Sequence, residues 1–532
     1  MKLSSMATLV ATALYSTSGA AETINLDYST SLDLKNKEVV LAGTGTGGRT
    51  IFTPTKQHVL VGDTLTVQSD SSDISVCINV MRERKLCEQT ESLSVGSNTI
   101  TSQYNGEVYL KNKLSEGDTA QIDISGGREM YIWDRSLHTD ADFAAMLESS
   151  THENIHLVGN KVVISGPVAR FQEQGVSNPT ELIKTWDEDI IALGEEQYGF
   201  HEKLATHHQP RSNKILIVDV GEDGWGSMYA AGNHLGTGVD YTFKKMINTT
   251  LLRSEESKND GWGPWHEYGH TVQPKAILFG GGEVTVNITS SYLQKNFGAE
   301  SKYTGRWDGL FSEYLDLPNE QKDFGTLDNK YRELFFYQFQ LTFGHRFYKN
   351  LQQEYRNDYL ADSTLFDRTD DEEVQAFIVK SSEVTGFDLR PYFEMWGFSV
   401  DQSTATIMDE QTNLKTIDSI WLNTDTAQEY THFDFGNEIV VDYDRPTDTL
   451  YVTMDFYRVS DSPMKVKALL LADRYIGSHK DGVSYYSTST LDRDNALVKW
   501  KLKNKGVAEN DVLTLEFTDK NGSKYSYNYN IE

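Results

Sequence analysis

Along the first quarter of the chain, apolar and polar residues alternate in short runs, as in HVLVGDTLTV (58–67) and NTITSQYNGEVYL (98–110). Alternation with period two is the mark of strands with one buried face, and Asn105-Gly106 predicts a tight hairpin turn inside the second run. The pattern changes near Gly126-Gly127. Beyond it, SNPTELIKTWDEDIIAL (177–193) predicts a helix, with Asn178 as cap, Pro179 in the first turn and Glu181 placed to close a capping box. KILIVDV (214–220) predicts a buried strand, and YRELFFYQFQLTFGHRFYKNLQQEY (331–355) a long helical stretch. From about 418 alternation returns in TLYVTMDFYRV, and LTLEFTDKNGSKYSYNYN predicts a hairpin turning at Asn521-Gly522. No internal repeat, heptad pattern or low-complexity linker interrupts this order.

The expected fold is a multidomain α+β protein. A β-sandwich spans 22–128, a mixed α/β domain 129–416, and a second β-sandwich 417–532. At 532 residues the chain is long enough for several cores. Ahead of the first domain, Lys2 and the apolar run Met6–Leu14 precede the small residues Ser18-Gly19-Ala20-Ala21. These predict a secretory signal peptide over 1–21, too short in its apolar part to span a bilayer. No later window has the length and apolarity of a transmembrane helix, so the expected product is exported and then soluble. Cys77 and Cys87, the only cysteines, lie ten residues apart in strand-like sequence, which in an oxidising compartment predicts one local disulfide.

Charge narrows the partners. Asp and Glu number 78 against 49 Lys and Arg, a net charge of −29 at pH 7. Without a basic run such a surface repels phosphate backbones, and a nucleic-acid partner is not expected.

The candidate chemistry centres on GWGPWHEYGHTVQP (261–274). His266 and His270 are four apart, so on a helix both imidazoles leave one face, as two ligands of a Zn²⁺ must. Pro264 near the start and Pro274 at the stop support that helix. Glu267 falls where a general base could take a proton from water activated by the metal. The same pattern occurs a second time in HENIH (152–156). That copy follows the helical DADFAAMLESS and runs into the β-pattern LVGNKVVIS, so its histidines are expected at a helix end or in a loop, where the four-residue spacing aligns nothing. A third ligand is needed to leave one metal position open. The first acidic residue after His270 is Glu283, in FGGGEVTVNITSSYLQKNF. The periodicity there fits a strand or a helix, Glu283 and Asn287 share a side in both, and Glu283 could equally be a solvated loop residue.

Taken together, GPWHEYGHTVQP and GGEVTVNITSSY resemble the zinc peptidases of the M60, enhancin-like family, whose signature is His-Glu-x-x-His followed by Glu. GEDGWGSMYAAGNHL (221–235), the helical 331–355 stretch and GFDLRPYFEMWGFSVD (386–401) resemble segments on either side of that motif. RTIFTPTKQHVLVGDTLTV resembles the accessory module that often precedes it. The resemblance covers roughly 45–405 and leaves the C-terminal β-region unassigned. It implies a gluzincin-type catalytic domain with His266, His270 and Glu283 as zinc ligands and Glu267 as base and acid. It also implies a secreted zinc endopeptidase acting on mucin-like, O-glycosylated glycoproteins. A secreted adhesin or carbohydrate-binding protein is the alternative from another class, and a zinc hydrolase of a non-peptide bond is a third. Trp262 and Trp265 are expected in core packing rather than stacked on sugar. His345 is expected to be structural, and the acidic tract 369–375 a solvated helix start.

Overall fold

The computed structural model describes residues 21–427 except 45–48, 81–86, 201–204, 222–225, 239 and 345, and beyond 427 the backbone of ten strands between 440 and 530. The predicted signal peptide, apart from Ala21, thus lies outside the described residues, as do His345 and the Asn521-Gly522 turn. Packing divides the chain into two units, one of 1–40, 46–192 and 211–252, the other of 41–45, 193–210 and 253–532.

In the first unit the alternating N-terminal runs form two antiparallel sheets. One holds Glu22–Asp27, Thr119–Gly126, Thr64–Ser69 and Gly96–Thr101; the other holds Cys87–Ser92, Ile74–Val80, Gly106–Asn112, Phe52–Val59 and Arg128–Glu129, each in that order. Their inward positions share one apolar core, to which every second residue contributes: Leu65 and Val67, Ile74, Val76 and Ile78, Ile122 and Ile124. Cys77 and Cys87 sit on adjacent antiparallel strands, Cα atoms 5.6 Å apart, and are joined in the expected disulfide.

The predicted Asn105-Gly106 hairpin does not form. The strand before it pairs with Thr64–Ser69 in the first sheet, and the strand after it pairs with Phe52–Val59 and Ile74–Val80 in the second. The turn is a crossover between sheets. Asn105 Oδ1 accepts from the Val61 N–H at 2.8 Å, and Gly106 adopts φ 151° with no room for a Cβ beside Asn79. Local turn chemistry was met there by a different long-range pairing.

The same unit carries a six-stranded mixed sheet, in the order Ile132–Asp134, Asn154–Val158, Val162–Pro167, Ile215–Asp219, Leu235–Thr237 and Met228–Ala230. Ile215–Asp219 is buried along its whole length, as the apolar run Ile215 to Val218 requires. Cys77 and Tyr109 of the N-terminal sheets pack with Val163, Leu216 and Val218 of this one. The predicted 177–193 helix begins as expected, with Asn178 accepting the Glu181 N–H at 2.9 Å and Pro179 in the first turn, but from Thr185 to Ala192 it widens into a π-helix.

The second unit is largely helical. The 331–355 stretch forms two helices, Asn329–Phe343 and Arg346–Ala361, separated at Gly344 with φ 71°. Asn329–Phe343 is buried on nearly every side, so its aromatics form a core rather than a stripe. Phe335 and Phe339 meet Phe377 of the helix Asp370–Thr385 and Tyr392 and Phe393 of Arg390–Met395. The acidic 369–375 tract is a helix start, with Thr369 and Glu372 closing a capping box. Beyond 427 the strands pair into two antiparallel sheets, and Val512–Thr518 pairs with Lys524–Asn530 on either side of the predicted turn.

Candidate metal centre

The segment 261–274 folds as the helix Trp262–Val272, with Pro264 in its first turn and Pro274 just past its end. Its apolar face anchors it within the second unit. Trp265 is fully buried and stacks on Phe297 with ring centroids 5.4 Å apart, and Trp262 meets Tyr303 edge-on while the Lys302 ammonium lies 4.0 Å over its ring. Both tryptophans are therefore packing residues. Gly269 lets the helix approach its neighbour: a Cβ there would lie 2.9 Å from the Val286 carbonyl oxygen.

On the adjoining face His266 and His270 stand with ring centroids 4.9 Å apart and planes at 90°. Glu283 comes to them from the short helix Gly282–Thr285, which Gly281 enters at φ 93°, a conformation that favours glycine. The ambiguous 283–296 pattern thus resolves as helix, continued by Asn287–Asn296. The carboxylate oxygens lie 3.0 Å from His266 Nε2 and 3.7 Å from His270 Nε2. His266, His270 and Glu283 form the one group among the described residues whose ligand atoms converge, within 4.8 Å of one another. The histidines are mostly covered, whereas the Glu283 side chain is 71% exposed, so the cluster opens to solvent on its carboxylate side.

The tautomers follow from the amides behind the rings. Asn287 spends both N–H donors, on the Glu283 carbonyl at 3.0 Å and on Glu333 at 2.9 Å, which turns its oxygen to His266 Nδ1 at 2.9 Å. Gln273 donates to the Gly282 carbonyl and to Thr285 Oγ1, both at 2.6 Å, which turns its oxygen to His270 Nδ1 at 3.0 Å. An amide oxygen only accepts, so each Nδ1 carries the proton and each neutral ring presents its Nε2 lone pair to the cluster. Two lone pairs facing a carboxylate need a cation or added protons between them. The donor set of two imidazole nitrogens and one carboxylate oxygen fits a catalytic zinc site, which takes three protein ligands.

Electrostatics without a metal point the same way. Burial opposes protonation of His266, but Glu283, the Asn287 oxygen and the charge of Glu267 outweigh it and hold its pKa above the ordinary value. Burial and the neighbouring His266 charge lower that of His270. The bond from His266, with the charge of both histidines, holds the Glu283 carboxyl below its usual range despite partial burial. Glu267 lies on the same helix and is 8% exposed.

HENIH is assembled differently. The preceding helix ends at Ser149, His152 lies in the turn before the strand Asn154–Val158, and His156 is inside that strand. His152 packs on the His58 ring with centroids 4.0 Å apart, while His156 is fully buried and neither ring nitrogen meets a hydrogen-bond partner among the described residues. The strand starts earlier than its sequence pattern suggested, and the spacing brings no ligand set together. Sequence reasoning assigned no role to Gln273, to Glu333 or to Arg306, which donates to Glu333 Oε2 at 2.8 Å. Gln273, three residues after His270, was findable from helical spacing; Glu333 and Arg306 were not, because tertiary packing alone brings them near.

A family model for peptidase M60, enhancin and enhancin-like proteins matches residues 127–397. The fold is shared with a functionally unknown conserved protein from Bacillus anthracis str. Ames, in a mutant form, at 22% identity and TM-score 0.68, over 96% of this chain and 99% of that one. It is shared too with the catalytic module of the metalloprotease ZmpA from Clostridium perfringens, at 17% identity and TM-score 0.61, over 95% and 99%. The M60 catalytic domain of ZmpC from Clostridium perfringens, solved with the sialyl T antigen, matches at 16% identity and TM-score 0.60, over 96% and 100%. No curated protein matches the chain. Fold and family together define a metallopeptidase. The chain belongs to the peptidase M60, enhancin and enhancin-like family.

Proposed function

We propose that the protein is a secreted, zinc-dependent endopeptidase that cleaves peptide bonds in glycoproteins, with O-glycosylated, mucin-like chains as the substrate class. In this reading a signal peptide (1–21) precedes a gluzincin-type catalytic domain (129–416) flanked by β-sandwiches at 22–128 and 417–532. The convergence of His266 Nε2, His270 Nε2 and the Glu283 carboxylate, with both imidazoles held in the ligating tautomer, carries the assignment. The substrate class rests on the family and on the glycan held by the ZmpC relative. Export is supported by the apolar N-terminal run and by the Cys77–Cys87 disulfide, which suits an oxidising compartment.

His266, His270 and Glu283 would hold the ion. When bound, zinc supplies a Lewis acid that polarises the scissile carbonyl and eases deprotonation of water. Glu267 takes one proton of the attacking water on its carboxylate as oxygen adds to the carbonyl carbon. It passes that proton to the nitrogen as the C–N bond breaks. Asn287 and Gln273 keep the two Nδ1 protons in place throughout.

Digestion of a mucin-type glycoprotein and of its deglycosylated form, with and without chelator, tests the class. Glu267→Gln keeps shape but accepts no proton, so it should retain zinc while turnover drops about 10²–10⁴-fold. Glu283→Gln should lose zinc affinity as well as rate, since a neutral amide is a poor zinc ligand. Zinc content and turnover measured side by side separate the two. Wild-type turnover in Glu267→Gln would overturn the role of Glu267 as base, and a wild-type protein that binds the glycoprotein without cleaving it would favour a glycan-binding protein.

A further inference from the structure

The two histidines are not held alike. Gln273, behind His270, ends on a backbone carbonyl and a threonine hydroxyl, all neutral. Asn287, behind His266, shares its donors between the Glu283 carbonyl at 3.0 Å and a carboxylate: its Nδ2 donates to Glu333 Oε1 at 2.9 Å, and Glu333 Oε2 accepts from Arg306 at 2.8 Å. Glu333 is 9% exposed, and Arg306 also donates to the Lys330 carbonyl at 3.1 Å. A buried carboxylate needs such donors to be tolerated at all. What it adds here is direction. As an acceptor at both oxygens, it forces Asn287 to face it with the NH₂ group, and therefore to face His266 with its oxygen.

We propose that Glu333 is a positioning residue for the metal centre, locking His266 in its Nε2-ligating tautomer through Asn287. This rests on the zinc reading of the cluster. Glu333 makes no contact with a substrate or with the reacting atoms in this role; it acts on the side chain that acts on the ligand. Outer partners of ligating histidines typically contribute 10–100-fold in metal affinity.

The substitution that tests it changes one atom. In Glu333→Gln the side chain offers one oxygen and one NH₂ to two donors, Arg306 and Asn287. The charged guanidinium takes the oxygen, because its bond is the stronger. Asn287 then meets an NH₂ group and keeps only the Glu283 carbonyl to hold its own NH₂ in place; an amide that turns over gives up that bond, relieves the clash and presents its NH₂ to His266 Nδ1. That nitrogen must accept, the ring proton moves to Nε2, and the lone pair leaves the cluster. Asn287→Asp is expected to fail for the opposite reason, by placing two carboxylates together. The double variant Asn287→Asp, Glu333→Gln restores complementarity towards position 333 and His266, leaving only the Glu283 carbonyl without its donor. The carboxylate introduced at position 287 accepts from both the new amide and the His266 N–H, so the ring keeps its Nδ1 proton.

Zinc affinity of the full chain, freed of metal and titrated in competition with a zinc-chelating dye, is the readout. Each single variant should bind zinc roughly 10–100-fold more weakly than wild type, and the double variant should bind more tightly than either single one. Wild-type affinity in Glu333→Gln overturns the inference while leaving the zinc reading intact. A wild-type protein that binds no zinc overturns both. If Glu333→Gln loses its native circular dichroism, or the double variant binds no better than the singles, the carboxylate is structural and the inference falls.

Discussion

His156 shows how one residue type takes opposite roles under the same five-letter pattern. In the helix Trp262–Val272 the spacing of four places His266 and His270 side by side; across the turn and strand at 152–156 it buries His156 with no polar partner among the described residues. Both copies were legible in the sequence, and flanking prolines against flanking β-pattern told them apart. The burial was not legible. Burial, outweighing the opposing charge of Glu107, lowers the His156 pKa to about 4. An unfolded histidine binds its proton near pH ~6.5. Between those values the unfolded chain holds a proton that the folded chain refuses, so stability should fall as pH drops from about 6.5 towards 4. Replacing the ring by an apolar side chain removes that proton. The unfolding midpoint of His156→Leu should accordingly decline less steeply over this window than that of wild type, and parallel declines would show that His156 binds its proton alike in the folded and unfolded states.

Between elements, spacing within a helix was legible and the approach of one helix to another was not. Pro264, Pro274 and the histidine spacing outlined the helix Trp262–Val272, yet nothing in its sequence marked Gly269 as a contact. A Cβ there would sit 2.8 Å from Val286 Cγ2 and 2.9 Å from the Val286 carbonyl oxygen, and backbone cannot yield as a side chain can. Glu283 lies three residues before Val286, so the clash would shift the histidines against their third ligand. Gly269→Ala should therefore weaken zinc binding more than tenfold and destabilise the protein by about 1–3 kcal/mol, the usual range for overpacking. Gly282→Ala is the matched control, since a Cβ there meets nothing within 4 Å. It should bind zinc like wild type; equal losses in both variants would mean that glycine matters here through chain flexibility rather than through contact. The failed hairpin at Asn105-Gly106 makes the same point for strands: the turn residues were legible, and which sheet each strand would join was not.

For the whole molecule, composition set a constraint that the fold leaves in place. The net charge of −29 opposes approach to an anionic substrate, and sialylated or sulfated glycans are anionic. Repulsion of this kind reaches ~30 Å at 0.01 M salt and only ~8 Å at 0.15 M. Under the proposed function, kcat/KM on a sialylated glycoprotein should thus rise with added NaCl across that range, by roughly threefold or more given the size of electrostatic effects on association. Removing the sialic acids takes away one partner of the repulsion, so the same protein should then be cleaved faster at low salt and respond less to NaCl. Turnover at saturating substrate should change little in either case, because the effect acts on encounter. A salt response that survives desialylation unchanged would place it in the enzyme or the peptide. If kcat/KM on the sialylated protein instead falls with NaCl, attraction by a local cationic surface governs the approach rather than net charge.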